Sequence, residues 1–254
     1  MSPAFRGTAV TDEFANVYED TARAEAYARL EYPGTYHLAV RDLPGILAKH
    51  VYGRDALDFG CGTGRSTRYL RDLGFHAVGV DIAEPMLAHA RELDPQGEYR
   101  LVSADAPPVL AEGAYDLVFA AFTFDNIPTA DKKVMLLETL RRSLKPRGRI
   151  VIVVSDPAIY RYEWASFSTR DFPENLEARN GDVVRIVMLD VPDRRPVEDI
   201  LCTPESYREI FDQAGLIVLE AAHPLGRAGE PHAWVSETSV APWTIYVLRP
   251  PVAR

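Results

Sequence analysis

The 254-residue sequence predicts an α/β protein built on a doubly wound, mainly parallel sheet. From residue 55 to 156 short apolar runs alternate with helical stretches, a rhythm that calls for crossover connections and helices on both faces of the sheet. A glycine-rich turn, "DFGCGTGR", sits where the first strand hands over to the first helix of that series. Acids end three successive strands, Asp58, Asp81 and Asp105, at the edge where open α/β sheets bind ligands.

In chain order, residues 12–31, "DEFANVYEDTARAEAYARLE", are polar, alanine-rich and stopped by Pro33 and Gly34, so they read as a helix lying over the domain. Residues 37–50, "HLAVRDLPGILAKH", make a second helical piece, bent or split at Pro44 and Gly45. Strand "ALDF", helix "STRYLRDLG" closed by Gly74, strand "HAVGVD" and helix "EPMLAHARELD" follow, with Pro85 in a first turn that tolerates it. Next come strands "YRLVSAD" and "AYDLVFAAF", helix "TADKKVMLLETLRRSL" capped by Thr129, and strand "RIVIVVSD" after the turn "KPRG".

After residue 156 the rhythm breaks. An aromatic cluster, "PAIYRYEWASFSTRDFPEN", leads into a β-hairpin in which "DVVRIVML" and "VEDILC" flank "DVPDRRP". A helix, "PESYREIFDQAG", returns with Thr203 as N-cap and Gly215 past its end. Strands "LIVLEAA" and "TIYVLRP" finish the chain. No linker separates the halves, so residues 1–254 read as a single domain. It comprises an N-terminal helical segment (1–50), a ligand-binding half (55–156), an insertion (157–202) and a C-terminal helix with strands (203–254).

Apolar residues make up 47% of the chain and charged residues 26%, the balance of a globular protein with a real core. A formal charge of -9 argues against affinity built on nucleic-acid phosphates or an anionic membrane surface. Small neutral or cationic partners are expected, with no nucleic acid and no membrane. The basic group Arg141, Arg142, Lys145, Arg147 and Arg149 falls at a helix C-terminus and turn, where cations complement the helix dipole. Cys61 and Cys202 have neither disulfide-framework nor metal spacing, and the N-terminus lacks a basic-then-apolar leader. A cytoplasmic protein is the expectation.

Gly60, Gly62 and Gly64 let the backbone take dihedrals closed to other residues and approach a ligand closely. A dinucleotide fingerprint needs its third glycine at position 65, where this chain has Arg65. Asp58, two residues before the first glycine, would repel a pyrophosphate. For a cationic or zwitterionic ligand the same carboxylate is an asset.

An acid followed by G-x-G-x-G resembles the first motif of the class I S-adenosylmethionine-dependent methyltransferases. That resemblance implies a seven-stranded, mainly parallel sheet with an antiparallel last strand, an N-terminal helical lid and an insertion after the fifth strand. It implies S-adenosylmethionine as cofactor and S-adenosylhomocysteine as product. Asp58, Gly60, Cys61, Gly62, Thr63 and Gly64 then form the cofactor turn. Asp81 matches the acid on the ribose hydroxyls, and Ile82 and Met86 the apolar contacts to the adenine ring. Ala104, Asp105 and Ala106 match the segment at the adenine amino group. Phe122 follows the fourth strand, and Tyr18, Tyr27 and Tyr36 are similar to lid aromatics that close over the cofactor.

The acceptor is a small organic molecule on this reading, methylated on O, N or C. The stretch "AFTFDNIP" lacks the [DN]-P-P-[YF] signature of adenine and glutamine N-methyltransferases. Phe124 and Asn126 after the fourth strand, Tyr160, Trp164 and Phe167 of the insertion, and Trp234 in the last connection are the candidate acceptor contacts, with Glu237 a further one. Where a proton must leave the acceptor, Asp125 and His223 are the candidate bases. No metal is expected. Two rival readings share the fold: a protein that binds S-adenosylmethionine but catalyses a rearrangement, and a non-catalytic regulatory subunit. Monomer and homodimer both remain open.

Overall fold

The structure is a computed structural model, and it describes Glu25, residues 30–103 and residues 108–251. Apart from Glu25, which is helical, and Leu30 and Glu31, the helix expected over 12–31 lies outside the described residues.

Strands β1 (Asp55–Phe59), β2 (His76–Asp81), β3 (Glu98–Leu101), β4 (Tyr115–Ala121) and β5 (Leu144–Ser155) alternate with helices as the sequence predicts. Strands β6 (Phe167–Ser168), β7 (Val183–Met188) and β8 (Val197–Ile200) belong to the insertion, and β9 (Ile217–Ala222) and β10 (Trp243–Arg249) end the chain. The main sheet has seven strands in the order β3-β2-β1-β4-β5-β10-β9. Its first five strands pair in parallel. Only β10 is reversed, antiparallel to both β5 and β9.

Helices α1 (Thr35–Arg41), α2 (Leu43–His50), α3 (Arg65–Asp72), α4 (Glu84–Leu93), α5 (Ala130–Ser143) and α6 (Pro204–Gln213) cover the sheet. Alternate strand residues face opposite ways. Ala56 joins a core with Leu38, Leu43 and Leu70 of α1, α2 and α3, while Leu57 joins Leu137, Leu140 and Phe211 of α5 and α6. With both faces covered, β4 is buried at every position but its last. No helix among the described residues is long and apolar enough to cross a membrane.

Local signals decide several boundaries. Thr129 and Thr203 cap α5 and α6, accepting from the backbone amides of Lys132 and Ser206. The helical break falls at Asp42 rather than at Pro44, which places that proline in the first turn of α2, where it has no amide to lose. The "KPRG" turn is an irregularity within β5, since Leu144 already pairs with Tyr115. Lys145 there bridges Asp55 (2.5 Å) and Asp116 (2.8 Å), so this member of the basic group ties strand ends together.

The insertion folds as a three-stranded sheet, with β7 and β8 the expected hairpin. Asn175 holds it by donating to the carbonyls of Tyr160 and Arg185 and accepting from the Arg185 amide. Glu237 fastens it to the body. Its carboxylate accepts from Thr35 Oγ1 (2.6 Å), the Ala165 amide (2.8 Å) and the Val235 amide (2.7 Å).

Candidate active site

The glycine turn lies between β1 and α3, with Gly60, Gly62 and Gly64 at φ of 74°, 53° and 76°. These are left-handed conformations that side chains with a Cβ resist. A Cβ on Gly60 would stand 2.2 Å from Thr123 Oγ1, and one on Gly64 2.6 Å from the Tyr99 hydroxyl. At Gly62 only Met86 Cε is near, at 3.1 Å, so this glycine keeps space clear over the turn. The amides of Gly60 and Cys61 donate to Val80 O, and that of Gly62 to Asp81 Oδ2 at 2.7 Å, binding the turn to the end of β2.

Asp81 also accepts from the Ala83 amide at 2.9 Å. Burial raises its pKa against those backbone donors. Each oxygen keeps a lone pair for a further donor, so the carboxylate can accept two hydroxyls. Asp58 lies deeper than a place at the mouth of the turn. It is fully buried, and Ser66 Oγ and Thr67 Oγ1 both donate to its Oδ2 at 2.6 Å. Its Oδ1 has no hydrogen-bond partner among the described residues. Burial pushes this carboxyl up to about 6, opposed by the two hydroxyls. A hydroxyl acceptor, a clear glycine and an orphaned carboxylate oxygen fit a ligand with ribose hydroxyls and an ammonium, whereas a pyrophosphate would meet two acids.

Beyond Thr123 the chain turns through Phe122, the one non-glycine residue with positive φ (61°) among the described residues. Such a conformation costs about 1–3 kcal/mol and persists where its surroundings impose it. Here the Phe122 amide donates to Val153 O. Its ring lies 5.8 Å from that of Tyr36 and 4.8 Å from that of Trp243. These rings wall a cavity of about 50 Å³ whose lining also includes Phe167, Met188 and Val197. Tyr36 is buried, and its hydroxyl donates to Met188 Sδ at 3.3 Å.

The polar side of the cavity holds Asp125, Asp199, Asn126, Ser155 and Tyr160. Asp125 accepts from the Ser155 amide (3.0 Å) and hydroxyl (2.9 Å). Asp199 accepts from the Tyr160 hydroxyl (2.9 Å) and from Asn126 Nδ2 (3.2 Å). Burial raises both carboxyls. Asp199, which also feels the charge of Asp125, is pushed up to about 7. Lys133 is buried nearby, donates to Phe124 O, and is held below the ordinary lysine range by desolvation.

The structure thus brings together Tyr36, Phe122, Asp125, Asn126, Tyr160 and Phe167 from the predicted set around one cavity. Five other candidates for acceptor contact or catalysis stand outside its lining, among them Glu237, whose carboxylate is taken up by Thr35, Ala165 and Val235. Phe124 is packed in the core beneath α5. Trp164 is 2% exposed and donates its indole N–H to Ile159 O. Trp234 packs against His232 in the last connection. His223 is half exposed, with Nδ1 3.2 Å from Thr244 Oγ1 and 3.8 Å from Asp156. Cys61, Thr63 and Met86 are buried at the turn and Ile82 is partly buried. Tyr18, Tyr27, Ala104, Asp105 and Ala106 lie outside the described residues. Asp199 was missed. Its signal was an acid two residues after Val197, on the same inward face of a strand whose intervening residue is the exposed Glu198.

Residues 57–152 match the family described as Methyltransferase domain. Over 152 residues the chain is 31% identical to a Cypemycin N-terminal methyltransferase of a Streptomyces species, covering 58% of this chain and 59% of that one. It is 24% identical to a Ubiquinone biosynthesis O-methyltransferase of Paraburkholderia xenovorans, over 54% of this chain and 60% of the relative. The matches therefore span less than two thirds of these relatives' length. In fold it is similar to the CcbJ methyltransferase of Streptomyces caelestis, with a TM-score of 0.61 and 22% identity over 87% of this chain and all of the other. Strand order and glycine turn together give the chain the fold of the class I S-adenosylmethionine-dependent methyltransferases.

Proposed function

We propose that the protein transfers a methyl group from S-adenosylmethionine to a small organic acceptor bound in the cavity beside Phe122, and that it works in the cytoplasm. The observation that carries this reading is the adjacency of turn and cavity: Thr123 packs against Gly60 on one side and follows the cavity-lining Phe122 on the other. Cys61 and Cys202, both buried and unpaired, suit a reducing compartment.

Gly60, Gly62 and Gly64 would admit the cofactor's backbone-facing edge, Asp81 would accept its ribose hydroxyls and Met86 would pack on its ring. When bound, S-adenosylmethionine supplies an electrophilic methyl group on a sulfonium. The protein's own work is to align the acceptor atom with that methyl, exclude water and remove a proton where the acceptor has one to lose. Packed rings along the cavity wall serve the first two tasks. For the third, a carboxylate is better placed than an imidazole, because Asp125 lines the cavity and His223 does not. The relatives' names include an N-terminal and an O-methyltransferase, so they leave the methylated atom open.

The test is release of S-adenosylhomocysteine when the protein is incubated with S-adenosylmethionine and a panel of small amines, phenols and carboxylic acids. Release that depends on one acceptor supports the reading. Tight cofactor binding with no release across the panel would favour a rearrangement or a regulatory role.

A further inference from the structure

Resting on the assignment of this cavity to the acceptor, we propose that the acceptor is a small amine that enters as its ammonium ion, and that Asp199 is the residue that takes its proton. The cavity has the two features that hold a cation. On one side the rings of Tyr36, Phe122, Phe167 and Trp243 lie with centroids 4.8 to 6.0 Å apart, and aromatic rings attract cations to their faces. On the other side stand two buried carboxylates, Asp125 and Asp199. No lysine, arginine or histidine is among its lining residues. An anionic acceptor would add a negative charge to a desolvated pair of acids. A neutral alcohol would leave the charge of an ionised Asp199 uncompensated.

The two acids are not equivalent. Asp125 is held by the amide and hydroxyl of Ser155, and the charge of Lys133 favours its ionised form. Asp199 has no backbone donor among its side-chain hydrogen bonds, and the charge of Asp125 stands against its ionisation more strongly than that of Lys133 favours it. The remaining titratable groups around the pair are Tyr160, Tyr207 and Cys202, all pushed up by burial and so neutral near pH 7. Asp125 and Lys133 therefore offset one another, and Asp199 carries the exchangeable proton, poised at about 7.

The step balances. With Asp199 ionised, the ammonium donates to its carboxylate, and one proton passes from nitrogen to the Asp199 oxygen. The lone pair left on nitrogen forms the N–CH3 bond as the CH3–S bond breaks, with the breaking pair retained by sulfur. A sulfonium donor becomes a neutral thioether, and the product leaves as an N-methylammonium ion. Tyr160 and Asn126, which both donate to Asp199, are positioning residues in this step.

The test uses the full-length protein saturated with S-adenosylhomocysteine, whose binding is first verified by calorimetry. Ligand-observed NMR then compares n-butylamine, n-butanol and butyrate. The amine is expected to bind at least about tenfold tighter than the alcohol, with no binding of butyrate. Its affinity should fall about tenfold per pH unit below about 7, where Asp199 holds a proton. Asp199→Asn should abolish both the preference and the pH dependence while leaving S-adenosylhomocysteine affinity unchanged. Should that variant fail to fold, the three probes on the wild-type protein decide alone. Butanol or butyrate binding as tightly as butylamine to the saturated protein overturns the amine and leaves the methyltransferase reading standing. No S-adenosylhomocysteine binding overturns both.

Discussion

The glycine turn and the acceptor-side cavity meet at Thr123 and are built by opposite means. The turn is local: Gly60 to Gly64 lie within five residues, the amides of residues 60–62 donate to Val80 O and the Asp81 carboxylate at the end of β2, that of Gly64 donates to Cys61 O, and Gly62 leaves space over the turn. The cavity is assembled from α1, the segments after β4 and β5, the insertion hairpin and the start of β10, and it brings paired acids and packed rings together. On the proposed function, the first region would fit the cofactor through backbone shape and the second would select the acceptor through side-chain chemistry. A cofactor site of that kind can persist while the acceptor site is rebuilt by changing an insertion.

The largest expected effect is on stability, at a side chain that packs the core rather than either region. Trp164, buried with its indole N–H on Ile159 O, should cost about 3–5 kcal/mol of stability when changed to Ala, read by denaturant unfolding. A raised acceptor KM with unaltered stability would instead place Trp164 against the acceptor.

Asp125→Asn and Asp199→Asn come next. Asp199→Asn, which removes the base, should lower kcat about 100-fold or more, Asp125→Asn should lower it less, and the dissociation constant for S-adenosylmethionine should stay put in both. If cofactor affinity falls with kcat, the two regions are not separable. Asp199 adds a stability signature. Its carboxyl is raised from 3.8 in the unfolded chain to about 7, so the folded state holds the proton more tightly. Its stabilising contribution is complete below about pH 4 and is lost as the pH rises through about 7. Asp199→Asn should flatten that decline in thermal melts between about pH 4 and 8.

On the cofactor side, Asp81→Ala removes the acceptor for the Gly62 and Ala83 amides and for the ribose hydroxyls. About 1–3 kcal/mol of S-adenosylmethionine binding should go, read by calorimetry. The smallest effect belongs to His223→Asn. Half exposed and outside the cavity lining, it should change kcat by less than about twofold and leave the pH profile of kcat in place. A lost acidic limb would return His223 to the role of base.

The sequence revealed the turn and not the cavity because of how far apart their parts lie. Gly60, Gly62, Gly64 and Asp81 announce themselves within one strand-helix-strand unit, and the alternation after residue 55 foretells the sheet that carries them. The cavity depends on long-range packing. Asp199 reaches Asn126 across 73 residues, and Thr35 reaches Ser166 across 131. Aromatic residues in the insertion look alike in sequence, yet Tyr160 and Phe167 line the cavity while Trp164 fills the core. His223 was a reasonable base by its place at the end of β9, but β9 is the outermost strand, which leaves it beyond the cavity lining. Asp58, read as an acid at the mouth of the turn, lies fully buried within β1, and its burial under Ser66 and Thr67 is set by the helix that follows.

The central claim is that this turn is shaped for a sulfonium nucleoside and not for a pyrophosphate. Calorimetric titration of the wild-type protein with S-adenosylmethionine and, separately, with NAD tests it most directly. The account predicts S-adenosylmethionine binding on the order of micromolar and no heat from NAD. NAD binding of comparable tightness, or no binding of S-adenosylmethionine to folded protein, would contradict it.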